Sequence, residues 1–584
     1  MLKHVIYKFL HENRLSYLAG FTLMIVSSYL QTLEPAILGQ IIDTLAVSGW
    51  VKADVYTYIG LMLLVAAGAF GTKYIWRYLV MGNGRKMECY LRVQLFMHLQ
   101  QMTVEFYNRR STGELMAYAI NDVGAIRMIF GTGVAMIINN LGLITAAIWA
   151  MVNTVGFTLT AICLLPMPAI VFLLVLLGRV IQVRFRQVQE IFGLITGKVQ
   201  ENIGGLRVIK AYAQESEEVA NFALLNAKMQ DANIRMTRVS TLLEPVISIC
   251  FGISFMITLI YGSALVKAGS ISLGGFVAFN GYLLLLMRPV VATGRIVNIF
   301  QRGIASLKRL DKVFAIVPEI EDVTPNNNEQ GIGGSIEIRN LSFQYPESPT
   351  YVLRDINITL PQGQVLGIIG PTGSGKTTIV NILLKLYNVQ NGKVFIDGKD
   401  INSYSLEELR ENIGFVPQDN FLFSAKIRDN ISFDDDYSDE EIETATKISG
   451  IFDSIMSFRN KFETLVGERG MNLSGGQKQR LSIARAIIKD PAILIMDDAL
   501  SAVDAKTEVS ILGNLRNFMS KRTAIIISHR ISSLKHADKI IVMDQGQIVE
   551  QGTHSSLLQN KQFYYRIYQE QSSGEEELMT DNEG

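Results

Sequence analysis

A run of 51 residues without a charged side chain, Met128–Gly178, constrains this chain more than any other feature of its sequence. A bilayer-spanning helix needs about 20 apolar residues, so the run is long enough for two crossings joined by a short turn near Asn153–Gly156. Further uncharged stretches lie in the first half of the chain at Leu15–Leu33, Val55–Thr72, Pro245–Val266 and Ala268–Met287. The alternative is buried helices of a large soluble protein, but so many long apolar segments in sequence favour six membrane spans.

The basic residues of this half lie in alternate connections. Lys and Arg are frequent before span 1, in Lys73–Arg127 and in Arg179–Glu244, whereas the other connections contain little beyond Lys52 and Lys267. The positive-inside bias therefore predicts that both termini and the two long loops are cytoplasmic. Their sequences favour helical hairpins, and arms of about 25–30 residues would extend roughly 40 Å from the membrane.

Composition and the N-terminus exclude several classes of protein. The net charge is zero, so no global basic excess indicates a nucleic-acid partner. Cys89, Cys163 and Cys250 are widely spaced and form neither a disulfide framework nor a metal motif. The basic, amphipathic segment MLKHVIYKFLHENR has no small-residue cleavage site, which favours a cytoplasmic helix over a removable signal peptide.

The composition changes after the sixth span. Residues 317–334 combine Pro, Asn and Gly without periodicity, as expected of a linker. We therefore expect an α-helical six-span transmembrane domain over residues 1–316, with long cytoplasmic helical extensions, and an α/β domain of the phosphate-loop class over residues 335–571. Residues 572–584 are predicted to be an acidic, disordered tail.

A phosphate-binding motif predicts that the α/β domain binds a nucleotide. The stretch Gly370–Thr377 matches G-x-x-x-x-G-K-[ST] between the apolar strand VLGIIG and a helical pattern. Its glycines let backbone N–H groups face phosphate oxygens, Lys376 reaches the terminal phosphates, and the Thr377 hydroxyl is placed for Mg²⁺. Asp497 ends a second apolar strand, where an acid can hold Mg²⁺. The predicted ATP-binding residues of this loop are Gly370, Thr372, Gly373, Ser374, Gly375, Lys376, Thr377 and Thr378.

The stretch LSGGQ, Leu473–Gln477, is the signature of ATP-binding cassette (ABC) proteins, and the order of the motifs around it also resembles that family. The resemblance implies that Tyr345 stacks on adenine, that Gln418 senses Mg²⁺ and the attacking water, and that His529 contacts the γ-phosphate. Thr464–Gly470 and Ser501–Asp504 resemble the exporter element before the signature and the D-loop. The whole chain resembles a half-transporter of the P-glycoprotein type.

The signature implies a second chain. Ser474, Gly475, Gly476 and Gln477 begin a helix and form an anion-binding end. In the family, the phosphate loop and the signature of one chain lie too far apart to hold the same nucleotide. Two chains therefore meet head to tail, and each phosphate loop faces the signature of the other chain.

Asp498 departs from the family pattern, in which Glu at this position polarises the attacking water. Aspartate withdraws the carboxylate by roughly 1.5 Å, about one C–C bond, and misplacements near 1 Å can cost about 10²-fold in rate. With its intact signature, the chain resembles the degenerate-site subunit of heterodimeric multidrug exporters of the plasma membrane of low-GC Gram-positive bacteria. The alternatives are a homodimeric lipid or drug exporter that uses Asp498 as a weak base, and a non-catalytic regulatory subunit.

Three charged residues near the spans are candidates for the substrate cavity. Glu34 and Glu244 each precede a proline and could attract amphipathic cations, and Arg288 lies within span 6. Glu244 and Arg288 could equally be helix-end or interhelical partners. The family resemblance also places helices that couple the two domains near Thr112–Asn121 and Gln214–Phe222. No feature of the sequence identifies the compound exported.

Overall fold

The computed structural model describes residues 2–47, 51–320, 331–346, 348–433 and 435–580. The chain forms two compact units. The first comprises Met1–Gln101 and Arg110–Val317, and the second comprises Met102–Arg109 and Pro318–Gly584. The chain passes from one unit to the other at the start of the predicted linker 317–334, of which residues 321–330 lie outside the described residues.

The first unit contains the six predicted spans. After a short helix, Leu2–Glu12, the helical segments long and apolar enough to cross a membrane are Arg14–Ala46, Lys52–Gln100, Thr112–Val155, Phe157–Gly204, Glu215–Lys267 and Leu273–Phe314; they are called spans 1 to 6. Each is longer than the roughly 20 residues that a bilayer requires. The prediction that the long loops are helical is confirmed, because spans 2 to 5 continue through most of both loops.

Several of these spans are interrupted. Span 3 consists of helices Thr112–Ala117, Val123–Met128 and Val134–Val155 with π-helical turns at Tyr118–Asp122 and Ile129–Gly133. Span 4 consists of Phe157–Leu164 and Met167–Gly204, and the helix Leu206–Ala211 follows it. Span 5 consists of Glu215–Ser240, Leu243–Ile257, a π-helical turn at Thr258–Gly262, and Ser263–Lys267.

One π-helical turn carries a buried carboxylate that joins two spans. Asp122 is 4% exposed and accepts hydrogen bonds from Ser306 Oγ at 2.7 Å and from Arg309 Nε at 3.0 Å. A buried charge is tolerated only when it is paired and hydrogen-bonded. The turn at Tyr118–Asp122 therefore holds span 3 against span 6 at a specific register.

Spans 1 and 6 pack closely against each other at two glycines. A Cβ atom added to Gly274 would lie 1.9 Å from the carbonyl oxygen of Gly39. At the same point, the N–H of Gly274 donates to Asp43 Oδ1 at 2.6 Å. The carboxylate thus satisfies a free N–H in the first turn of span 6, where negative charge is favoured. Only glycine fits this contact.

We expect Gly274→Ala to destabilise the protein by about 1–3 kcal/mol, the usual cost of overpacking, because the added methyl group would displace Gly39 or Asp43. The matched control is Gly71→Ala in span 2, where an added Cβ would have no neighbour within 4 Å. Thermal unfolding of the purified protein in detergent checks the comparison. Equal melting temperatures for the two variants would contradict the close contact.

The described residues of the second unit form ten strands in two sheets. Their bounds are β1 Ile336–Phe343, β2 Leu353–Leu360, β3 Val365–Ile369, β4 Val394–Ile396, β5 Lys399–Asp400, β6 Ile413–Val416, β7 Ile493–Asp497, β8 Thr523–Ile527, β9 Lys539–Asp544 and β10 Gln547–Gly552. The smaller sheet has the antiparallel order β2-β1-β4-β5. The larger has the order β10-β9-β3-β8-β7-β6, parallel except for β10.

The helices of this unit pack around the larger sheet. Its α-helices are Val104–Asn108, Lys376–Leu383, Leu406–Glu411, Ile427–Ser432, Asp439–Ile448, Phe452–Ser457, Gly475–Ile487, Ala505–Met519, His554–Asn560 and Phe563–Thr580. Its 3₁₀ turns are Ile401–Ser403, Lys461–Glu463, Glu468–Gly470 and Ile531–Ser533. Successive strand residues alternate between two cores: Ile493 and Ile495 face one, and Leu494 and Met496 face the other. A parallel sheet covered on both faces produces these continuous apolar strands.

The C-terminal helix extends beyond the predicted end of the α/β domain. It runs from Phe563 to Thr580, so the helix continues into residues 572–580, and the disorder of the tail stays a prediction. Glu and Leu are good helix formers, and they extend a helix already anchored in the core through Tyr564. Residues 581–584 lie outside the described residues.

The segment of the first long loop that belongs to the second unit also differs from expectation. It is Met102–Arg109, which includes the helix Val104–Asn108, and it lies before the predicted Thr112–Asn121. Phe106 is buried, and Asn108 Nδ2 lies 3.4 Å from the hydroxyl of Tyr387.

Candidate functional site

Three parallel strands deliver the chemical groups of the site to one edge of the sheet. Ile527 of β8 pairs in register with Ile368 of β3 and with Asp497 of β7. The phosphate loop follows β3, Asp498 follows β7, and His529 follows β8. Because the carboxyl ends of parallel strands share an edge, ligands bind there in open α/β sheets.

The phosphate loop has the backbone that its glycines predicted. Gly375 has φ +97°, and a Cβ atom there would lie 2.7 Å from Leu353 and 3.0 Å from the Val352 carbonyl oxygen. Lys376 Nζ donates to the carbonyl oxygens of Gly370 and Pro371, both at 2.8 Å. Burial lowers the pKa of Lys376, although the charges of Asp497 and Asp498 oppose this shift.

A buried hydroxyl in the loop fits a phosphate ligand. Ser374 is 2% exposed, and its Oγ has no hydrogen-bond partner among the described residues. A buried polar group without a partner is costly. A phosphate oxygen in the cradle of the loop would satisfy it.

Asp497 provides the buried acid of the site. It is 2% exposed, and its pKa is raised, first by burial and then by the charge of Asp498. The Thr377 hydroxyl hydrogen-bonds the carboxylate, and Lys376 and His529 stabilise its charged form. Hydroxyl and carboxylate oxygens are ligands that Mg²⁺ accepts, so this pair fits a magnesium ion bound beside phosphates.

Asp498 has an unusual backbone. Its φ is +48°, in the left-handed region, which Asp and Asn occupy more readily than other non-glycine residues. Its N–H donates to the Ile527 carbonyl oxygen at 2.9 Å, and its own carbonyl oxygen accepts from Ser501 Oγ at 3.0 Å. The main chain of Asp498 is therefore fixed on both sides, and the reach of its carboxylate is limited by its one methylene.

These groups line one cavity of about 200 Å³. Of the predicted residues, those that line it are Thr372, Gly373, Gly375, Lys376, Thr377, Thr378, Gln418, Asp497, Asp498 and His529. Val352 and Ile527 also line it; sequence reasoning missed both, since no motif marks them. The structure thus gathers residues from five separate stretches of sequence around one space.

Tyr345 lies beside this cavity and does not line it. Its hydroxyl is 3.0 Å from Thr378 Oγ1, and its ring packs edge-on against Phe343 and Tyr387. The hydroxyl contact connects the aromatic cluster to the helix that begins at Lys376.

The signature lies outside the cavity lining, at a strongly capped helix start. Ser474 Oγ accepts from the Gln477 N–H at 3.3 Å, and Gln477 Oε1 accepts from the Ser474 N–H at 2.9 Å. This capping box begins the helix Gly475–Ile487. The capping box uses the N–H of Gln477 and leaves those of Gly475 and Gly476 to face an anion.

Gln479, which sequence reasoning missed, joins the signature helix to the D-loop. It is 3% exposed; its Nε2 donates to Ser501 Oγ, and its Oε1 accepts from the Ala502 N–H, both at 3.0 Å. Ser501 Oγ in turn donates to the main-chain carbonyl oxygen of Asp498. Two consecutive hydrogen bonds therefore link the signature helix to Asp498. The only signal in the sequence was a polar residue on the apolar face of the helix.

The three candidate substrate residues are not brought together. Glu34 is half-buried in span 1, and Glu244 and Arg288 are exposed. Among the described contacts, no hydrogen bond or ion pair joins any two of them. Their assignment to a substrate cavity stays a prediction.

Six membrane spans followed by a parallel-sheet domain with a phosphate loop, a buried strand-end acid and a capped LSGGQ helix define an ABC exporter, an ATP-hydrolysing transporter. Comparison with known proteins agrees. A family model described as "ABC transporter transmembrane region" matches residues 17–290, and one described as "ABC transporter" matches residues 353–501.

Known ABC transporters align with nearly the whole chain at more than 30% identity. The chain therefore belongs to the ABC transporter family. The probable multidrug resistance ABC transporter ATP-binding/permease protein YheI of Bacillus subtilis (strain 168) is 36% identical over 98% of this chain and 97% of that protein. The multidrug resistance-like ATP-binding protein MdlA of Escherichia coli (strain K12) is 34% identical over 95% and 94%. A solved bacterial Atm1-family ABC exporter with ATP bound superposes with a TM-score of 0.80, at 27% identity over 95% of this chain and 99% of that one.

We expect Gly375→Ala to weaken ATP binding by about tenfold or more, since the substitution adds left-handed strain and a steric clash in a packed site. The matched control is Gly363→Ala: Gly363 also has positive φ (+79°), but an added Cβ meets nothing within 4 Å. Titration of the purified protein with a fluorescent ATP analogue measures both. If the two variants bind ATP equally well, the packed glycine is not what shapes the loop.

Proposed function

We propose that this chain is one subunit of an asymmetric heterodimer that exports hydrophobic and amphipathic cationic compounds across the bacterial plasma membrane, driven by ATP. The nucleotide-binding unit and both termini would be cytoplasmic. In this proposal, the site built on this chain's phosphate loop and Asp498 hydrolyses ATP slowly. The faster site combines Ser474–Gln477 of this chain with the phosphate loop of a different partner.

The observation that carries the proposal is Asp498, held in a left-handed backbone among the residues that line the nucleotide cavity. A general base must come within about 2.6–3.2 Å of the proton that it removes. Hydrogen bonds fix the main chain of Asp498 on both sides, so the backbone is restrained from supplying the reach that the shorter side chain lacks. The phosphate loop and Asp497 remain suited to binding ATP.

The intact signature supports the second half of the proposal. The capping box at Ser474 and the hydrogen bonds of Gln479 pre-organise the helix end before any nucleotide arrives. A well-formed signature contributes to fast ATP hydrolysis only when the site that it faces has an effective base. A partner chain with a better base than Asp498 would provide that site. The names of YheI and MdlA, which refer to multidrug resistance, support export of hydrophobic drugs.

Within this chain's own site, we assign roles by position. Tyr345 would stack on adenine, the loop Gly370–Thr378 would hold the phosphates, and His529 would contact the γ-phosphate. Thr377 and Asp497, with Gln418 nearby, would hold Mg²⁺, which neutralises phosphate charge. Asp498 would orient the attacking water, with little strength as a base.

Two variants separate the asymmetric exporter from a homodimer. Asp498→Asn keeps the size and the backbone preference but removes the base; in the asymmetric exporter we expect less than about a threefold loss of ATP turnover, since the partner's site carries most of it. Ser474→Asp keeps an N-cap but places a negative charge where phosphate would bind, and we expect a loss of about 10²-fold or more. Steady-state ATP hydrolysis by the purified complex measures both.

The control for Ser474→Asp is Thr553→Asp, which changes another capping box, at the start of His554–Asn560. A homodimer would lose turnover with Asp498→Asn as completely as with Ser474→Asp, and this result would refute the asymmetric proposal. A regulatory subunit would show a different pattern: Asp498→Glu would alter the response to substrate and leave transport intact.

The composition of the complex is a direct test. A tagged chain, expressed in its native host and solubilised gently, should co-purify with an equimolar second chain that has Glu after its own strand-end Asp and an altered signature. A homodimer with steady ATP turnover would instead show that Asp498 serves as the base.

The raised pKa of Asp497 predicts the pH dependence of Mg²⁺ binding. Only the carboxylate binds the metal, and a raised pKa causes protonation at a higher pH than in an ordinary Asp. We expect Mg²⁺-dependent ATP binding to be strongest at and above neutral pH and to weaken, on acidification, at a higher pH than with an ordinary Asp, whose pKa is about 4. Asp497→Asn should remove the Mg²⁺ dependence, whereas Asp544→Asn, at the end of β9, should keep it. ATP binding that is indifferent to Mg²⁺ in the wild type would contradict the assignment.

A further inference from the structure

A side chain of the C-terminal helix, Gln571, forms two hydrogen bonds to the loop that carries His529. Gln571 Nε2 donates to the main-chain carbonyl oxygen of His529 at 2.6 Å, and Gln571 Oε1 accepts from the N–H of Ile531 at 3.0 Å. The two bonds hold main-chain groups on both sides of Arg530. A side-chain amide is suited to this contact because it is both a donor and an acceptor.

The helix that presents Gln571 is firmly anchored. Tyr564, Ile567 and Gln571 follow the i, i+3, i+7 spacing of one helical face. Tyr564 is fully buried, its hydroxyl lies 2.8 Å from His554 Nδ1, and Ile567 packs against the same core. At the start of the helix, Glu550 accepts hydrogen bonds from the main-chain N–H groups of Phe563 and Tyr564. The position of Gln571 is therefore fixed by the core.

The opposite side of the same loop is also anchored. Glu508, 3% exposed, accepts from Arg530 Nη1 at 2.6 Å and from Ser533 Oγ at 2.5 Å. Glu508 belongs to the helix Ala505–Met519, which follows the D-loop. The side chain of Arg530 is thus held by one helix, and the main chain around it is held by another.

His529 itself depends on these anchors. Its side chain is exposed and lines the nucleotide cavity, and among the described contacts the imidazole makes no hydrogen bond. Its direction is consequently set by the main chain, whose carbonyl group at this residue is bonded to Gln571. Loss of that bond would let the imidazole move within the site.

We propose that Gln571 is a positioning residue for His529, through which the C-terminal helix sets how well the site distinguishes ATP from ADP. The inference rests on the proposed contact between His529 and the γ-phosphate, since ADP lacks that group. Gln571 does not line the cavity, so its effect would pass through the main chain of His529.

The test measures nucleotide selectivity at this chain's own site in the full-length complex. The complex is photolabelled with 8-azido-ATP in lipid nanodiscs, the label on this chain is quantified on a gel, and ATP or ADP competes. Gln571→Leu removes both hydrogen bonds at similar size. We expect ATP to compete about three- to tenfold less well, the effect of losing one or two hydrogen bonds, and ADP to compete as in the wild type.

Two further variants keep the result interpretable if Gln571→Leu is poorly folded. Gln571→Glu retains the acceptor for Ile531 but loses the donor to His529, and we expect it to resemble Gln571→Leu. Gln569→Leu makes the same substitution at an exposed position of the same helix, where the amide donates to Tyr565 at 2.9 Å, and should keep normal selectivity.

His529→Ala distinguishes a failure of the positioning role of Gln571 from a failure of the proposed γ-phosphate contact of His529. If it lowers ATP competition while Gln571→Leu and Gln571→Glu behave as the wild type, the inference about Gln571 is overturned and the site assignment stands. If His529→Ala also has no effect, the proposed γ-phosphate contact itself is wrong. An equal loss of ATP and ADP competition in Gln571→Leu would indicate a general structural role and would overturn the positioning role.

Discussion

The parallel register of β3, β8 and β7 is the constraint on which the nucleotide site depends. Ile527 stands opposite both Ile368 and Asp497, so the three strands end within a residue or two of one another. A shift of one residue in any strand would turn its side chains to the other face of the sheet and would move one chemical group away from the others. Two apolar cores, one on each face, fix that register because every second residue must face its own core.

Polar contacts extend from this edge into the rest of the unit. Ser501 connects the main chain of Asp498 to Gln479, and Gln479 lies on the signature helix. The main chain of Asp498 is therefore tied by hydrogen bonds to the helix that begins at the signature. On the far side, Glu508 and Gln571 hold the loop of His529. Hydrogen bonds carry these connections, and a fully satisfied network of this kind makes the local structure rigid.

In the membrane unit, close packing and hydrogen-bonded acids fix the helices relative to one another, as strand pairing fixes the strands in the other unit. Small residues allow helices to approach closely where lipid provides no hydrophobic drive for association, as at Gly39 and Gly274. Asp43 and Asp122 are acids that a hydropathy pattern would place at the margins of spans. Each instead bonds a neighbouring helix, Asp43 at the first turn of span 6 and Asp122 at Ser306 and Arg309.

The sequence by itself determined the six spans, the helical loops, the phosphate loop, Asp497 and the capped signature, because each depends on local spacing and on residue chemistry along one stretch of chain. Only the tertiary structure decided contacts between distant stretches. Gln479 and Gln571 carry no motif, and the left-handed backbone of Asp498 leaves no local pattern. Segment 102–109 belongs to the second unit, where Asn108 contacts Tyr387, and the C-terminal helix continues into the predicted tail from turns that the core anchors. These features follow from which surfaces meet, and that information is spread over residues far apart in the chain.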